Sequence, residues 1–263
     1  MGAGVAIRIS VRMNTFNASG HSFPDTSGQD HAVAASRYNP PMCARYNLRI
    51  SPQKLAEIFN VVRGVEYQIR YNIAPTQIIV AIRQEEGQRV PVNMRWGLVP
   101  VWSKDPKSGP PLINARGETV AEKPAFRTAF KKRRCLIPAT GFYEWRTEGK
   151  AKLPFNIHLP NDEPFAFAGL WDCWKSGSES LESCTIITTE AAGDMVKLHD
   201  RQPVMLPRDE WDLWLDPELQ EPEPVQAMIR PWPGKLVFDS VDPGINNSRN
   251  EGAEHFKPGT NSL

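Results

Sequence analysis

The chain has 263 residues, of which 40% are hydrophobic and 23% charged, and its formal net charge at pH 7 is +1. This composition is typical of a soluble globular protein with enough apolar material for a full core. A membrane-spanning helix needs roughly 18 apolar residues in succession, whereas the longest such run in the patterned part of the chain extends only from Ile78 to Ile82. We therefore expect no association with a membrane.

The charges are unevenly distributed along the chain. Between Cys43 and Cys135 there are 17 Lys and Arg against 7 Asp and Glu, whereas from Asp209 to Leu263 there are 4 against 11. Such asymmetry is compatible with one face that meets a polyanion. Chance clustering on solvated faces explains it equally well, so the asymmetry alone identifies no partner.

The first 41 residues differ in composition from the rest. They are rich in Ser, Asn, Gly, Ala and His, contain few large apolar side chains, and end in Asn39-Pro40-Pro41. This composition is typical of a disordered leader, or of a segment that is absent from the mature protein. Patterned sequence begins at Met42-Cys43, so we predict one domain over residues 42–256 and a tail over residues 257–263.

Short strands dominate the patterned region. Ser51 and Pro52, followed by apolar residues at helical spacing, predict a helix that runs to Phe59. A hairpin is predicted from two runs around a turn at residues 85–87, and further helices over residues 123–132 and 208–215. The predicted strands cover residues 78–82, 89–96, 135–138, 141–145, 155–159, 165–174 and 184–189. Because these strands do not alternate with helices, the pattern favours an α+β fold built on antiparallel sheet.

The four cysteines lie at positions 43, 135, 173 and 184. They form no C-x-x-C pair, which argues against a zinc ribbon or a thioredoxin-type redox site. They are too sparse for a disulfide scaffold, and Arg8 and Arg12 interrupt any apolar run of a secretory signal. We expect reduced thiols, an intracellular protein, and neither a metal nor another cofactor.

Polar segments interrupt the predicted strands at residues 114–119, 140–145, 198–203 and 246–250. Glu144 lies between Tyr143 and Trp145, where burial would raise the pKa of its carboxyl group into the range useful for acid–base chemistry. A half-exposed strand carboxylate paired with a lysine is the alternative. His199 and Asn114 are open to similarly ordinary interpretations, as a hydrogen-bonded histidine and a turn residue. Each segment alone is a weak signal.

Cys43 directly follows a methionine at the start of the patterned sequence. If Met42 initiates the chain and is removed, Cys43 carries both an α-amine, with a pKa of about 7.7–8.0, and a thiol, with a pKa of about 8.5. Such a residue can condense with an aldehyde, because the amine forms a Schiff base and the thiol then closes a thiazolidine ring. An ordinary buried cysteine in a first strand is the alternative.

Taken together and in order, these segments resemble the SRAP (SOS response-associated peptidase) family, whose members shield abasic sites in DNA. The resemblance implies a single α+β domain with a mainly antiparallel, barrel-like sheet and peripheral helices. It also implies a positively charged cleft for single-stranded DNA and a covalent crosslink between the N-terminal cysteine and the abasic aldehyde. The matching segments are residues 42–46, 71–77, 94–100, 113–119, 134–145, 167–171, 188–191, 199–204 and 241–252.

The resemblance also implies a role for individual residues. Cys43 would be the nucleophile, Asn114 would bond its amine, Glu144 would position the opened sugar, and His199 would act as acid and base. The phosphate-contacting residues would be Arg45, Arg116 and Arg201, and a stacking wedge at the lesion would comprise Pro75, Trp96 and Trp102. The expected partner is single-stranded DNA with abasic sites, and we expect a cytoplasmic, nucleoid-associated monomer.

One feature departs from the family, which needs a free α-amine on this cysteine. Here 41 residues precede Met42. A misassigned start codon, removal of the leader, and loss of crosslinking are the three explanations, and we favour the first. Two other functions stay open: a thiol peptidase or autoprotease that uses Cys43 with His199, and a passive single-strand-binding module.

Overall fold

The computed structural model describes residues 44–107, 109–259 and 263. The predicted leader over residues 1–41 and the proposed nucleophile Cys43 lie outside the described residues. In the described part, the strands are β1 (Tyr46–Leu48), β2 (Arg70–Ile73), β3 (Ile78–Glu85), β4 (Gln88–Trp96), β5 (Asn114–Arg116), β6 (Arg134–Ala139), β7 (Gly141–Glu148), β8 (Ala151–His158), β9 (Phe165–Ser176), β10 (Glu179–Glu190), β11 (Arg201–Pro203), β12 (Met205–Leu206) and β13 (Val237–Ser240). The α-helices there are α1 (Pro52–Phe59), α2 (Arg127–Lys132), α3 (Trp211–Leu215) and α4 (Pro222–Ala227).

Five strands close into a barrel in the order β4-β3-β6-β9-β10. The neighbouring pairs are antiparallel except for β10 and β4, which pair in parallel through Ser183 opposite Arg95 and Cys184 opposite Trp96. Closure leaves these strands without unpaired edges. The predicted α+β class with a mainly antiparallel, barrel-like sheet is confirmed.

A second sheet, in the order β13-β8-β7-β1-β2, lies against the barrel and is antiparallel throughout. Aromatic rings join the two sheets. The ring centroid of Tyr46 in β1 lies 5.3 Å from that of Trp96 and 5.8 Å from that of Phe167, and Phe142 in β7 lies 6.0 Å from Phe167. Because such edge-on aromatic pairs add to the energy of burial, the main core forms between the barrel and this sheet.

The predicted elements agree with the structure where the pattern is long. The hydroxyl of Ser51 accepts a hydrogen bond from the backbone N–H of Lys54 at 3.2 Å, so it caps α1 as predicted. The hairpin of β3 and β4 is also confirmed. The basic helix begins only at Arg127, later than predicted, because the backbone of Phe126, its N-cap residue, is not helical. The last predicted helix divides into a 3₁₀ turn over residues 208–210 and α3, which buries Trp211 and Trp214.

Arg134 is buried and holds the ends of two helices together. Its guanidinium donates hydrogen bonds to the carbonyl oxygens of Phe130 and Lys131 in α2, and to those of Trp214, Asp216 and Leu219 at and after the end of α3. Burial lowers the pKa of Arg134 to about 10, which leaves it charged at neutral pH. This arginine therefore stabilises the fold and adds nothing to the charge that a polyanion would meet.

Candidate functional site

Asn114 and Arg116 lie on β5, a three-residue strand that pairs in parallel with β10. Asn114 stands opposite Ile186 and Arg116 opposite Thr188. The next residue, Gly117, passes so close to β10 that a Cβ there would lie 2.3 Å from the Cγ2 of Ile229 and 3.1 Å from the Thr188 carbonyl oxygen. Only glycine allows this approach, so the sequence that follows Arg116 is held against the end of β10.

His199 reaches the same end of β10 from the other side. It follows a 3₁₀ turn over residues 193–197 and precedes β11, which pairs antiparallel with β10 and sets Pro203 opposite Thr188. Thr188 therefore has Arg116 on one neighbouring strand and Pro203 on the other. The structure thus brings the segments of Asn114 and His199 together around one strand end.

The imidazole of His199 has a partner for its Nδ1 atom in either protonation state. The backbone N–H of Arg201 donates to Nδ1 at 3.1 Å, which suits a neutral ring with its proton on Nε2. The Oδ1 atom of Asp200 lies 2.7 Å from the same nitrogen and would accept its proton when the ring is charged. This surrounding fits a histidine that takes up and releases a proton.

Arg201 is tied to the protein by its side chain. Its guanidinium forms a two-pronged ion pair with Glu118, with Nη1 to Oε1 at 3.0 Å and Nη2 to Oε2 at 2.8 Å. Nη2 also donates to the carbonyl oxygen of Thr188 at 2.8 Å. In this structure, therefore, the predicted phosphate ligand is already engaged by a carboxylate.

Glu144 is buried in β7, with 4% of its surface exposed, as the first of the two interpretations predicts. Side chains alternate along a strand, so Glu144 shares a face with Phe142, which packs onto the barrel. Tyr143 faces the other way and packs with Val241 and Ile245. The carboxyl group of Glu144 thus belongs to the face between the two sheets, and it is not the half-exposed strand carboxylate of the alternative.

The start of the described chain lies beside Glu144. Tyr46 pairs with Phe142, and the backbone N–H of Tyr143 donates to the carbonyl oxygen of Arg45 at 3.0 Å. If this antiparallel register continues by one more residue, Ala44 is set opposite Glu144. Ala44 directly follows Cys43 in the sequence.

The guanidinium of Arg45 is hydrogen-bonded to other groups of the protein. Its Nη1 donates to the side-chain oxygen of Asn72 at 2.8 Å and to the carbonyl oxygen of Ile245 at 3.1 Å, and its Nη2 donates to the carbonyl oxygen of Asn246 at 3.1 Å. Burial lowers the pKa of Arg45, while the charge of Glu251 opposes that effect. Arg45 therefore joins the first two residues of the segment 245–251, the 245–251 loop, to Asn72 in β2.

The three predicted wedge residues differ in exposure. Trp96 is fully buried, with its Nε1 donating to the carbonyl oxygen of Ile113 at 3.0 Å, so its ring has no face to offer a base. Its prediction as a stacking residue is wrong for this structure, because the ring fills the core beside Tyr46. Pro75 lies half-buried in the turn between β2 and β3. Trp102 is 64% exposed and borders a cleft of about 270 Å³ in the loop after β4.

Two of the other three cysteines are poor candidates for the nucleophile. Cys135 and Cys184 are both fully buried, and burial raises the pKa of each thiol well above its ordinary value. Cys173 is only partly buried. Since the thiolate is the reactive form, the thiols of Cys135 and Cys184 are unreactive.

Asn72 and Glu118 contact predicted site residues but were not themselves predicted from the sequence. Asn72 is fully buried, and Glu118 lies between two of the predicted phosphate ligands. Both residues lie inside the segments that match the family. The neighbouring sequence does not show that their side chains bond to arginines. In the described part of the chain, no group of three or more His, Cys, Asp and Glu side chains is placed to hold a metal ion, and no helix there is long and apolar enough to cross a membrane.

Known proteins are similar in sequence to this chain over most of its length. Residues 42–248 match the family described as SOS response associated peptidase (SRAP). The chain is 40% identical over 219 residues to "Abasic site processing protein YoaM" of Bacillus subtilis (strain 168), an alignment that covers 81% of this chain and 96% of that protein. It is 31% identical over 221 residues to "Abasic site processing protein HMCES" of Xenopus tropicalis, which covers 72% and 66% of the two proteins.

Solved structures give the same result for the fold. A protein from Bacteroides thetaiotaomicron matches with a TM-score of 0.69 at 26% identity, over 76% of this chain and 93% of that chain. A protein from Bordetella bronchiseptica matches with a TM-score of 0.67 at 25% identity, over 76% of this chain and all of the other.

Proposed function

Because this chain belongs to the SOS response associated peptidase family, we propose that it processes abasic sites in DNA, the activity named for its relatives in Bacillus subtilis and Xenopus tropicalis. It binds single-stranded DNA, and Cys43, when it is the N-terminal residue, links covalently to the ring-opened abasic sugar. The observation that carries the proposal is the meeting of the Asn114 and His199 segments at the end of β10.

The covalent step joins two nucleophiles of Cys43 to one carbon. The α-amine attacks the C1′ aldehyde of the opened deoxyribose, and loss of one water molecule leaves an imine. The thiol then adds across the C=N bond, so that sulfur bonds to C1′ and the nitrogen takes the proton. The product is a five-membered thiazolidine, formed with no oxidant or reductant.

Proton transfer is needed because an abasic deoxyribose exposes its aldehyde only after the ring opens. His199 performs this transfer, and its Nδ1 contacts to Arg201 and Asp200 provide a partner for each protonation state. Glu144 positions the opened sugar from the face between the two sheets, and Asn114 bonds the amine of Cys43. An abasic site also lacks the base whose unstacking would otherwise cost energy.

Binding of the DNA backbone relies on exposed cations and on one aromatic ring. Arg116 is exposed at the end of β5. Trp102 offers an exposed ring for a base to stack on, an interaction worth about 1–3 kcal/mol per base and tolerant of sequence. These two residues are the most accessible of the predicted DNA ligands.

The decisive experiment compares two forms of the protein on one abasic oligonucleotide. A chain that begins at Cys43 should give a heat-resistant adduct on a denaturing gel, with a mass equal to protein plus DNA minus one water. The same protein with residues 1–42 attached should give none, because the nitrogen of Cys43 is then an amide whose lone pair is delocalised. Equal adduct formation by both forms would show that the α-amine is not the nucleophile.

A matched pair of variants identifies the reacting thiol. In the chain that begins at residue 43, Cys43→Ala should abolish the stable adduct and keep reversible DNA binding, whereas Cys173→Ala should leave both unchanged. An undiminished adduct in Cys43→Ala would assign the chemistry to another residue.

The family's name also refers to a peptidase, which keeps an autoprotease as the second candidate function. In that case the full chain would lose residues 1–42 on incubation, and Cys43→Ala would prevent the loss. Intact-mass spectrometry of both proteins over time distinguishes this outcome from crosslinking alone.

A further inference from the structure

The guanidinium of Arg201 has almost no donor left for a ligand. It carries five N–H groups. Nε donates to the hydroxyl of Thr188 at 3.4 Å, Nη2 divides its two between Glu118 and the Thr188 carbonyl oxygen, and Nη1 gives one to Glu118. Among the described residues this leaves a single N–H of Nη1, too few for the two-pronged grip that arginine uses on phosphate.

Glu118 is also close to the second predicted phosphate ligand. It lies two residues after Arg116. Partial burial alone would raise the pKa of Glu118, but the hydrogen bonds from Arg201 and the charges of Arg201 and Arg116 outweigh this effect and hold the pKa below its ordinary value. The carboxylate is therefore ionised at neutral pH, and the three side chains together carry a net charge of one positive unit.

The backbone holds Glu118 in this place. It occupies the middle of a 3₁₀ turn over residues 117–119, whose first residue is pressed against Thr188 and Ile229. The side-chain nitrogen of Gln226 donates to the carbonyl oxygen of Gly117 at 2.9 Å. Because the turn is anchored on both sides, the carboxylate is presented to Arg201 before any ligand arrives.

We propose that Glu118 occupies the phosphate-binding fork of Arg201, so that a DNA phosphate has to displace this carboxylate and Glu118 sets both the affinity for the DNA backbone and its salt dependence. Carboxylate and phosphate offer arginine the same arrangement of two oxygen atoms. The inference rests on the proposed binding of single-stranded DNA, and it gives Glu118 the role of a residue that limits affinity.

The test is reversible binding of an intact oligonucleotide without an abasic site, which keeps the covalent chemistry out of the measurement. Glu118→Gln frees Arg201 and removes the opposing charge, so affinity should rise about three- to tenfold at about 0.1 M salt. The slope of log K against log salt should steepen by up to about one, as for one added phosphate contact. Fluorescence anisotropy across a salt series measures both quantities.

Glu182→Gln is the matched control. Glu182 pairs with Arg83 at 2.7 Å, so this substitution removes the same charge from another arginine–glutamate pair. Glu182 lies six residues before Thr188 on β10, a separation of about 20 Å along the strand. The DNA affinity and salt slope of Glu182→Gln should equal those of the wild type. If its affinity rises as much as that of Glu118→Gln, the rise is due to net charge alone and the proposal is overturned.

Two further variants protect the test against a folding defect. Glu118→Asp keeps the charge, but its side chain is one methylene shorter, so the ion pair with Arg201 is weakened. This variant should raise the DNA affinity less than Glu118→Gln does. In an Arg201→Gln background, Glu118→Gln should lose most of its effect, whereas an undiminished effect would show that Glu118 acts without Arg201. Thermal melting of each variant confirms that it is folded.

The outcomes separate this inference from the proposed function. A folded wild-type protein that fails to bind single-stranded DNA would reject the proposed function itself. A wild-type protein that binds, with an unchanged or lowered affinity in Glu118→Gln, would reject only the role of Glu118.

Discussion

The guanidinium of Arg45 and the side-chain amide of Asn72 meet across 2.8 Å, at the centre of a clamp on the 245–251 loop. The amide nitrogen of Asn72 lies within 3.0–3.1 Å of the carbonyl oxygens of Ile245, Asn247 and Asn250. Arg45 adds bonds to two carbonyl oxygens of the same loop. Two side chains thus engage four of the seven carbonyl oxygens of a loop that has no regular structure beyond a 3₁₀ turn at its start.

We expect Asn72→Ala to lower the free energy of unfolding by about 2–4 kcal/mol, because it leaves buried carbonyl oxygens and the Arg45 guanidinium without their partner. Urea denaturation measures the change. Asn93→Ala, at an exposed position of β4, is the control and should change stability by less than about 0.5 kcal/mol. Equal losses in both variants would contradict the clamp.

Arg116→Ala should weaken reversible binding of single-stranded DNA and reduce the salt slope by up to about one unit, without loss of stability. Its side chain is exposed, so the change removes a ligand and no internal contact. Arg45→Ala should weaken binding too, but together with a lower unfolding midpoint, because Arg45 bonds the 245–251 loop. Binding isotherms and urea curves on both variants separate the two effects. A large loss of stability in Arg116→Ala would show that the Arg116 side chain stabilises the fold, contrary to this prediction.

The two tryptophans of the predicted wedge should respond in opposite ways. Trp102→Ala should cost about 1–3 kcal/mol of DNA-binding free energy with little change in folding, because its ring is exposed. Trp96→Ala should instead lower stability by about 3–5 kcal/mol, because it empties a buried site. Anisotropy and denaturation of both proteins provide the comparison. Unchanged DNA affinity in Trp102→Ala would remove this residue from the binding surface.

The pair of Glu118 and Arg201 predicts a pH dependence of stability. The folded-state pKa of Glu118 lies below its ordinary value of 4.5. The stabilisation by the pair is therefore complete above that value and is lost as the pH falls through the lower, folded-state pKa. We expect wild type to exceed Glu118→Gln in urea midpoint at about pH 6, and the difference to shrink by about pH 3. A difference that is constant over this range would show that the charge of Glu118 does not contribute.

Long patterns in the sequence predicted the fold well. The cap and proline of α1, the alternation along β3 and β4, and the long apolar strands β9 and β10 are each determined by neighbouring residues. Strands of two to four residues, such as β5 and β11, were missed because so short a segment has no measurable period. They are strands only because β10 provides backbone partners on both sides.

The site was predicted as a set of residue types, and the structure divides that set by burial. Arginine at positions 45, 116 and 201 has the same chemistry in the sequence, yet only Arg116 presents an exposed side chain, because Asn72 and Glu118 engage the other two. Likewise, Trp96 is buried in the core whereas Trp102 is exposed. Glu118 is 83 positions from Arg201 in the sequence, and Asn72 is 27 positions from Arg45. Neither pairing can be inferred from the spacing of residues along the chain.

The clamp on the 245–251 loop also relates the site to the synthesis of the chain. Its hydrogen bonds join residues that are between 173 and 201 positions apart, so they form only after the ribosome has passed this loop. A ribosome-bound chain that ends before this loop carries Cys43 but lacks the carbonyl oxygens that engage Arg45 and Asn72. A fragment that ends before residue 245 therefore leaves Arg45 and Asn72 without these hydrogen-bond acceptors.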